Sequence, residues 1–419
     1  MKLLSLAGHS LWNRRGTATL VVVSIALSVT LLLGVERMRD QARMSFANTI
    51  SEVDLVVGAR TGPVNLLLYS VFRMGEPTDN VSWESYQRLA DHEQVKWTIP
   101  LSLGDSHRGF PVVATSADYF EHYRYGRGQS LALAEGEVFD GVFDAVLGAE
   151  VARQLGYEPG DEIIVAHGDG EMAHARHDDK PFFVTGILEP TGTPVDQSVH
   201  VSLEGFEAIH VDWRGGAPVP GLSISAQQAK EMNLEPSGIT AFLVGLESRV
   251  AVFGVQREIN EYADEPLMAI LPGLTLQQLW DLLAVGENAL LAVSLLVLVV
   301  ALVAMMTALL TGLNERRREM ALLRALGARP WHIFALVLGE TLLLTLLGAM
   351  AGVILMQLVA LGASQWLGSA LGMTIAAWPP SPREWWLLGA VLAGGLLAGL
   401  WPALRACLNA LQDGMTVRL

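Results

Sequence analysis

"NERRREMALLRALGARPWHIF", Asn314 to Phe334, is a charged, leucine-bearing stretch set between two long runs that carry almost no charge. On a helix, Glu315, Glu319, Leu322 and Leu326 fall at i, i+4, i+7 and i+11 and form one stripe, with Leu323 beside it. Arg317 and Arg324 fall on another side. Gly327 suits a helix C-terminus and Pro330 a fresh helix start. The stripe fits a short helix at a membrane surface that docks into a groove on a soluble partner. It equally fits a helix lying on lipid headgroups, with Arg316, Arg317 and Arg318 acting only as topology signals.

Working outward, the flanking runs are long enough to cross a bilayer. Thr17 to Val35 is uncharged over nineteen residues and Asn288 to Asn314 over twenty-seven. Pro330 to Pro382 holds one carboxylate, Glu340, and Trp385 to Leu404 holds no charge. About 18–20 apolar residues span a bilayer core, so four spans are expected. Their bounds are 17–35, 286–313, 333–361 and 385–404. Residues 1–16 are expected to form an amphipathic helix, 314–332 a loop, 362–384 an outer loop and 405–419 a tail. Arginines crowd residues 14–15, 316–329 and 405–418, while the 362–384 loop has only Arg383. The positive-inside bias then puts both termini and the 314–332 loop in the cytoplasm and residues 36–284 outside. Residues 1–35 lack a small-residue cleavage site and are expected to stay as an anchor.

The outer segment is acidic. Residues 36–284 hold 37 Asp+Glu against 17 Lys+Arg, a net of −20; the remaining 6 acidic and 11 basic residues give +5, and together these make the −15 of the chain. Such a balance argues against a nucleic-acid partner. The one cysteine, Cys407, lies in the expected cytoplasmic tail, so no disulfide braces the outer segment. "ERMRDQARMSFANTISEV" reads as the first span's helix carried onward, and "TLQQLWDLLAVGE" as a helix starting at Thr275 and running into the second span. Between them, strand patterns at "VDLVV", "VKWTIPLSL", "GFPVVATS", "PFFVTGIL", "SVHVSL", "ITAFLVGL" and "EPLMAIL" alternate with helical ones near 83–91, 149–155 and 255–263. That mixture makes an α+β domain. No internal repeat is visible.

Two further groups stand out. Within the spans, Glu340 is costly as an ion. It either pairs with an arginine of the 314–332 loop or caps a neighbouring helix, or it reaches back to headgroups. Gly348 and Gly352, and Gly395 and Gly399, lie one turn apart and permit close helix approach, between chains or within one. In the outer segment, "HGDGEMAHARHDDKPF" concentrates His167, His174 and His177 beside Asp178. These donors are of the type zinc accepts, and distant His200 and His210 can join only by folding. A solvated polar loop is the simpler reading, and the absence of H-E-x-x-H leaves a zincin-like hydrolase without support.

The stretch from Asn314 to Leu355, with Glu315, Arg316, Arg317, Glu319, Leu323, Arg324, Ala325, Leu326, Gly327, Ala328, Glu340, Gly348 and Gly352, resembles the C-terminal domain of FtsX/MacB/LolC-type ABC transporter permeases. "SLAGHSLWNRRGTATLVVVSIALSVTLLLG" is similar to that family's N-terminal helix and first span. "AVLGAEVARQLGYEPGDEIIV" is similar to its periplasmic core, more loosely around 60–140 and 205–240. The resemblance implies a four-span α-helical membrane protein with a large α+β extracytoplasmic domain, MacB-like, inserted between spans 1 and 2, in a bacterial inner membrane. It implies a permease subunit paired with a cytoplasmic ABC ATPase dimer that holds the ATP and magnesium, a second permease copy, identical or related, and a periplasmic binding or adaptor protein. It also implies mechanotransmission: the 314–332 coupling helix, through Glu315, Arg316, Arg317, Glu319, Leu323, Arg324 and Gly327, assisted by Arg14 and Arg15, passes ATP-driven closure to the outer domain. None of the four lysines follows a glycine, so the sequence has no G-x-x-x-x-G-K-[ST] loop, and the ATPase is expected on another chain, unlike MacB, where it precedes the first span. A solute or metal conduit and a membrane-anchored enzyme are the rival readings. The spans offer almost no polar lining for the first. No nucleophile, base and orienter set is legible for the second, so catalysis is not expected.

Overall fold

The computed structural model describes residues 15–167, 176–214, 217–219, 224–315, 320, 323–325, 327–371 and 380–412. Arg14, His174, Arg316, Arg317 and Glu319 lie outside them. The chain divides into a helical unit, residues 1–41, 284–365 and 375–419, and a sheet unit, residues 42–283 and 366–374.

Among the described residues four helices are long and apolar enough to cross a membrane. They are α1 (Arg15–Thr49), α8 (Pro272–Glu315), α9 (Pro330–Leu371) and α10 (Pro382–Gln412). At 1.5 Å per residue, α1 is about 52 Å long and α8 about 66 Å, well beyond a hydrocarbon core of about 30 Å. Both contribute residues to both units. α8 starts at Pro272, three residues ahead of Thr275, because proline is suited to a first helical turn. α9 departs further from expectation: it continues past Leu361 to Leu371, ten residues into the stretch read as loop. Residues 362–371 contain no proline, and the first breaker is Pro379. α10 opens on a capping box. Ser381 Oγ accepts the Glu384 N–H at 3.3 Å and Glu384 Oε2 accepts the Ser381 N–H at 3.1 Å, with Pro382 at the first helical position.

The sheet unit is built on a mixed eleven-stranded sheet. Its path is β11 (Leu267–Ile270), β1 (Leu55–Ala59), β10 (Ala241–Leu246), β2 (Val95–His107), β3 (Phe110–Thr115), β9 (Val199–Ser202), β5 (Asp144–Leu147), β8 (Phe182–Leu188) and β4 (Leu133–Gly136). β6 (Glu162–Ile163) pairs with β8 and β7 (Ala166–His167) with β2. The β3–β9 and β5–β8 pairs are parallel, the other ladders antiparallel. Both faces are apolar, as the strand composition requires. In β1, Leu55 and Val57 face one core and Val56 the other. The first core takes α3 (Trp83–Ala90), α5 (Ala149–Leu155), α6 (Leu203–His210) and α7 (Val252–Asn260); the second takes α2 (Pro63–Phe72) and α4 (Asp118–His122).

Within the sheet unit the outer ends of the two long helices are tied together by aromatic rings. Phe46 of α1 lies 5.4 Å from Trp280 of α8, edge to face, and 4.4 Å from Phe72 of α2. Arg43 stacks its guanidinium over Trp280.

Candidate functional site

At one end of the helical unit, α8 and α9 are joined through residues 316–329. Of these, 320, 323–325 and 327–329 are described; 323–325 is helical and closes as a Schellman motif. The Ala328 N–H donates to Leu323 O at 3.0 Å and the Gly327 N–H to Arg324 O at 2.9 Å, with Gly327 at φ +93°. A side chain at that φ would be strained, which explains the glycine. The same end holds a small cavity lined by Thr17 and Val21 of α1, Leu309 and Gly312 of α8, and Glu340 and Leu344 of α9. Glu340 is 1% exposed. Its carboxylate is enclosed by its own bundle, in the cavity that Thr17 and Val21 of α1 also line.

Further along the bundle, α9 packs on two partners, α1 and α10, through the glycines singled out above. A Cβ on Gly348 would lie 2.7 Å from Ile25 Cβ, and one on Gly352 2.7 Å from Ala26 O and Val29 Cβ. Thr30 Oγ1 donates to Gly352 O at 3.1 Å across the same seam. A Cβ on Gly395 would meet Thr345 Oγ1 at 2.3 Å, and one on Gly399 would meet Thr341 Cγ2 at 2.6 Å. Of the two uses the sequence allows, the structure shows close packing within one chain.

At the opposite end sits a buried ionic cluster that the sequence reading missed. Arg37 Nε and Nη2 donate to Glu384 Oε1 and Oε2, both at 2.9 Å, and Nη1 donates to Gln357 Oε1 at 3.2 Å. Glu36 lies 2.7 Å from Arg39 and 3.2 Å from Arg383. The signal was available: Glu36 and Arg37 end the first uncharged run, and Arg383-Glu384 open the last.

In the sheet unit the histidine stretch folds back on itself. The His177 N–H donates to Val165 O at 3.0 Å and Ala166 bridges Arg176, which brings His167 and His177 together. Their rings lie 5.0 Å apart, and His210, from the end of α6, lies 4.8 Å from His167 and 5.0 Å from His177. The fourth member is Asp105. β2 carries a bulge between Leu103 and Ser106, where Gly104 takes φ +145°, and the extra residue turns Asp105 inward. One donor atom from each of Asp105, His167, His177 and His210 falls within 4.8 Å of every other. Trp213 walls the group, 4.4 Å from His177 and 4.9 Å from His167. His177 is fully buried; burial, then the neighbouring His210, push its pKa down to about 4. Burial also lowers the pKa of His210. Both rings are therefore neutral near pH 7, the state that binds metals.

Asp178, expected with this group, is exposed and lies 3.1 Å from Arg176; a carboxylate turned to solvent cannot reach the cluster that buried Asp105 completes. His200 stands apart, fully buried beside Tyr119 and Phe120. Asp105 drew no attention in the sequence because it falls between the strand patterns ending at Leu103 and starting at Gly109, where a polar residue gives no sign that the strand continues through a bulge. Its only cue is the glycine before it.

Four membrane-length helices, a charged connection between the second and third, and an α+β domain inserted after the first define a membrane permease subunit. The FtsX-like permease C-terminal model matches residues 291–409 and the MacB-like periplasmic core domain model matches residues 16–262. The chain belongs to the family of FtsX/MacB-type ABC transporter permeases. No curated protein matches it. Among solved structures, the periplasmic region of MacB from Actinobacillus actinomycetemcomitans is similar at 12% identity and TM-score 0.34, over 55% of this chain and 94% of that one. The extracellular domain of the ABC-type transporter YknZ from Gram-positive bacteria is similar at 13% identity and TM-score 0.29, over 52% and 98%. The spans and the domain fit a multi-pass inner-membrane protein, and the family generally works as a dimer with an ABC ATPase and carries no catalysis of its own.

Proposed function

We propose that this permease works by mechanotransmission: a separate cytoplasmic ATPase dimer grips residues 314–332, and its closure moves the sheet domain through α1 and α8. The observation that carries this reading is the continuity of those two helices, each too long for the membrane alone and joined at Phe46 and Trp280. A continuous helix is stiff, so displacement at one end reaches the other. Two permease copies face the two ATPase subunits, and ATP with magnesium stays on the partner. Both termini lie in the cytoplasm on this reading, following the arginine bias. Leu323, Arg324 and Gly327 present the docking surface, with Glu315, Arg316, Arg317 and Glu319 completing it and Arg14 and Arg15 assisting. The work serves extraction or export, or activates an envelope process, with a periplasmic binding or adaptor protein as a further partner. The histidine–aspartate group supports a zinc link, taken up below.

The test is reconstitution in lipid of the chain with the ATPase that co-purifies in mild detergent. Stimulation of ATP hydrolysis by the permease should fall at least tenfold in Glu319→Ala/Arg324→Ala. Breaking the rod with Val285→Pro should leave ATP hydrolysis in place and abolish movement of a fluorophore on the sheet domain. Normal coupling in the first variant, or normal movement in the second, overturns the proposal.

A further inference from the structure

We propose that Asp105, His167, His177 and His210 form a zinc site, an N3O set that staples residues 162–167 and 176–180 to β2 and to the end of α6. The first support is donor geometry. Tetrahedral zinc with bonds of about 2.0–2.2 Å separates its ligand atoms by about 3.3–3.5 Å. His210 Nε2 lies 3.2 Å from His167 Nε2 and 3.5 Å from Asp105 Oδ2.

The second support is the state of the donors. His210 Nδ1 donates to Phe206 O at 2.7 Å, which fixes the tautomer and leaves Nε2 with its lone pair turned into the group. That backbone partner behind a ligating imidazole is the usual arrangement of a metal histidine. Both ring nitrogens of His177 are buried and make no hydrogen bond among the described residues, nor do the two oxygens of Asp105. Asp105 Oδ1 is 2.5 Å from His167 Nδ1, yet not aligned for a hydrogen bond. Four donor groups converge, Asp105 and His177 buried and His167 and His210 half-buried, and leaving a buried carboxylate without a hydrogen bond is costly. A divalent cation would take one donor atom from each of the four.

Imidazole nitrogens select first-row transition ions over magnesium and calcium, which need oxygen cages. The neighbouring cation, Lys180, does not compete for the site: its ammonium is fully buried against Asp212 at 2.8 Å and Asp179 at 2.9 Å. Zinc would therefore tie together three elements that are distant in sequence, the bulged strand, the folded-back segment and a helix end. The inference does not depend on the ATPase partner.

The experiment is zinc titration of the metal-stripped full chain in detergent, by calorimetry and by competition with a chromophoric chelator, with cobalt(II) as spectroscopic probe. One zinc per chain is expected, with no response to magnesium or calcium, and the intense visible bands of four-coordinate cobalt(II). His210→Ala, and His167→Gln as the less buried and gentler variant, should each weaken zinc by about a hundredfold or more, since each removes a ligand. His122→Ala, which disrupts the separate exposed group of Asp118, Glu121 and His122, should leave binding unchanged. Absence of stoichiometric zinc binding, or unchanged affinity in both ligand variants, overturns the proposal.

Discussion

Replacing Arg37 with leucine should destabilise the helical unit by about 3–5 kcal/mol, the cost of removing one partner from a buried ion pair. The geometry places the pair at the upper part of that range. Two hydrogen bonds of 2.9 Å join the guanidinium to Glu384 in a bidentate fork, and the side chains are 10% and 3% exposed. Glu384 cannot swing out to water when Arg37 goes, because the same carboxylate holds the Ser381 N–H in the capping box that opens α10. The loss is therefore that of a fixed, desolvated carboxylate rather than of one contact. It follows that removing the carboxylate as well should restore most of the stability: Arg37→Leu/Glu384→Met replaces both ends with apolar groups and should recover about 2 kcal/mol or more relative to the single variant. The assay is denaturant or thermal unfolding of the purified full chain in detergent, followed by tryptophan fluorescence, for the two single variants, the double and the parent. If Arg37→Leu and the double variant lose the same amount, the pair is not coupled and the description of this end of the bundle is wrong.

Gly348→Val and Gly395→Val should each cost about 1–3 kcal/mol by overpacking, whereas Gly389→Ala, with open space around its Cβ, should be silent in the same unfolding assay. His200 supplies a pH test: burial, then the charge of Arg73, hold its pKa down at about 3 in the fold, against 6.5 unfolded. Above pH 6.5 it is neutral in both states and contributes nothing; below, only the unfolded chain takes the proton, so stability falls with pH, by about 2 kcal/mol at pH 5. Urea unfolding at pH 7.5 and 5.0 should show this loss in the parent and about that much less in His200→Phe, and an unchanged slope in the variant would refute the assignment. Trp280→Ala removes the ring that joins α1 to α8 and should reduce ATPase-driven movement of the sheet domain while leaving the sheet folded by circular dichroism.

The spans were legible because uncharged runs of nineteen and twenty-seven residues have few alternatives to a membrane helix. Strands such as Ala241–Leu246 and Phe182–Leu188 were legible too, as short apolar runs bounded by turn residues. Helix α2 was not: "PVNLLLYSVF" is apolar on nearly every side, so it carries little helical periodicity, and it is buried for that reason. The order of the strands was also hidden, since β1 pairs with β10 and β11 across about two hundred residues and nothing local encodes that choice. For the site, His167 and His177 were visible as neighbours in the chain. Asp105 and His210 reach them only through a β-bulge and the end of a helix, which are properties of the fold rather than of any one segment.

The helical unit has two chemically different ends, and the difference bears on how a stroke would travel. Near Glu340 a small cavity lies among α1, α8 and α9, while the adjacent Thr341 packs tightly against Gly399 of α10. Glycines bring α9 against α10 from that level and against α1 further along, so closely that one added methyl group would collide, and Arg37 then binds α1 to α10 and α9. Close-packed seams of this kind do not deform gradually; they move as blocks. On the proposed mechanism, a push at residues 314–332 would be carried by α1, α9 and α10 as one body. Arg37 is the joint where that body is fastened, only nine residues before Phe46 on the same continuous helix. The ionic lock is thus placed to keep α1 from sliding against its neighbours at the level where its motion must be handed on. A variant with the lock removed and stability restored, Arg37→Leu/Glu384→Met, separates the two roles: it should fold, bind the ATPase and still transmit less movement than the parent.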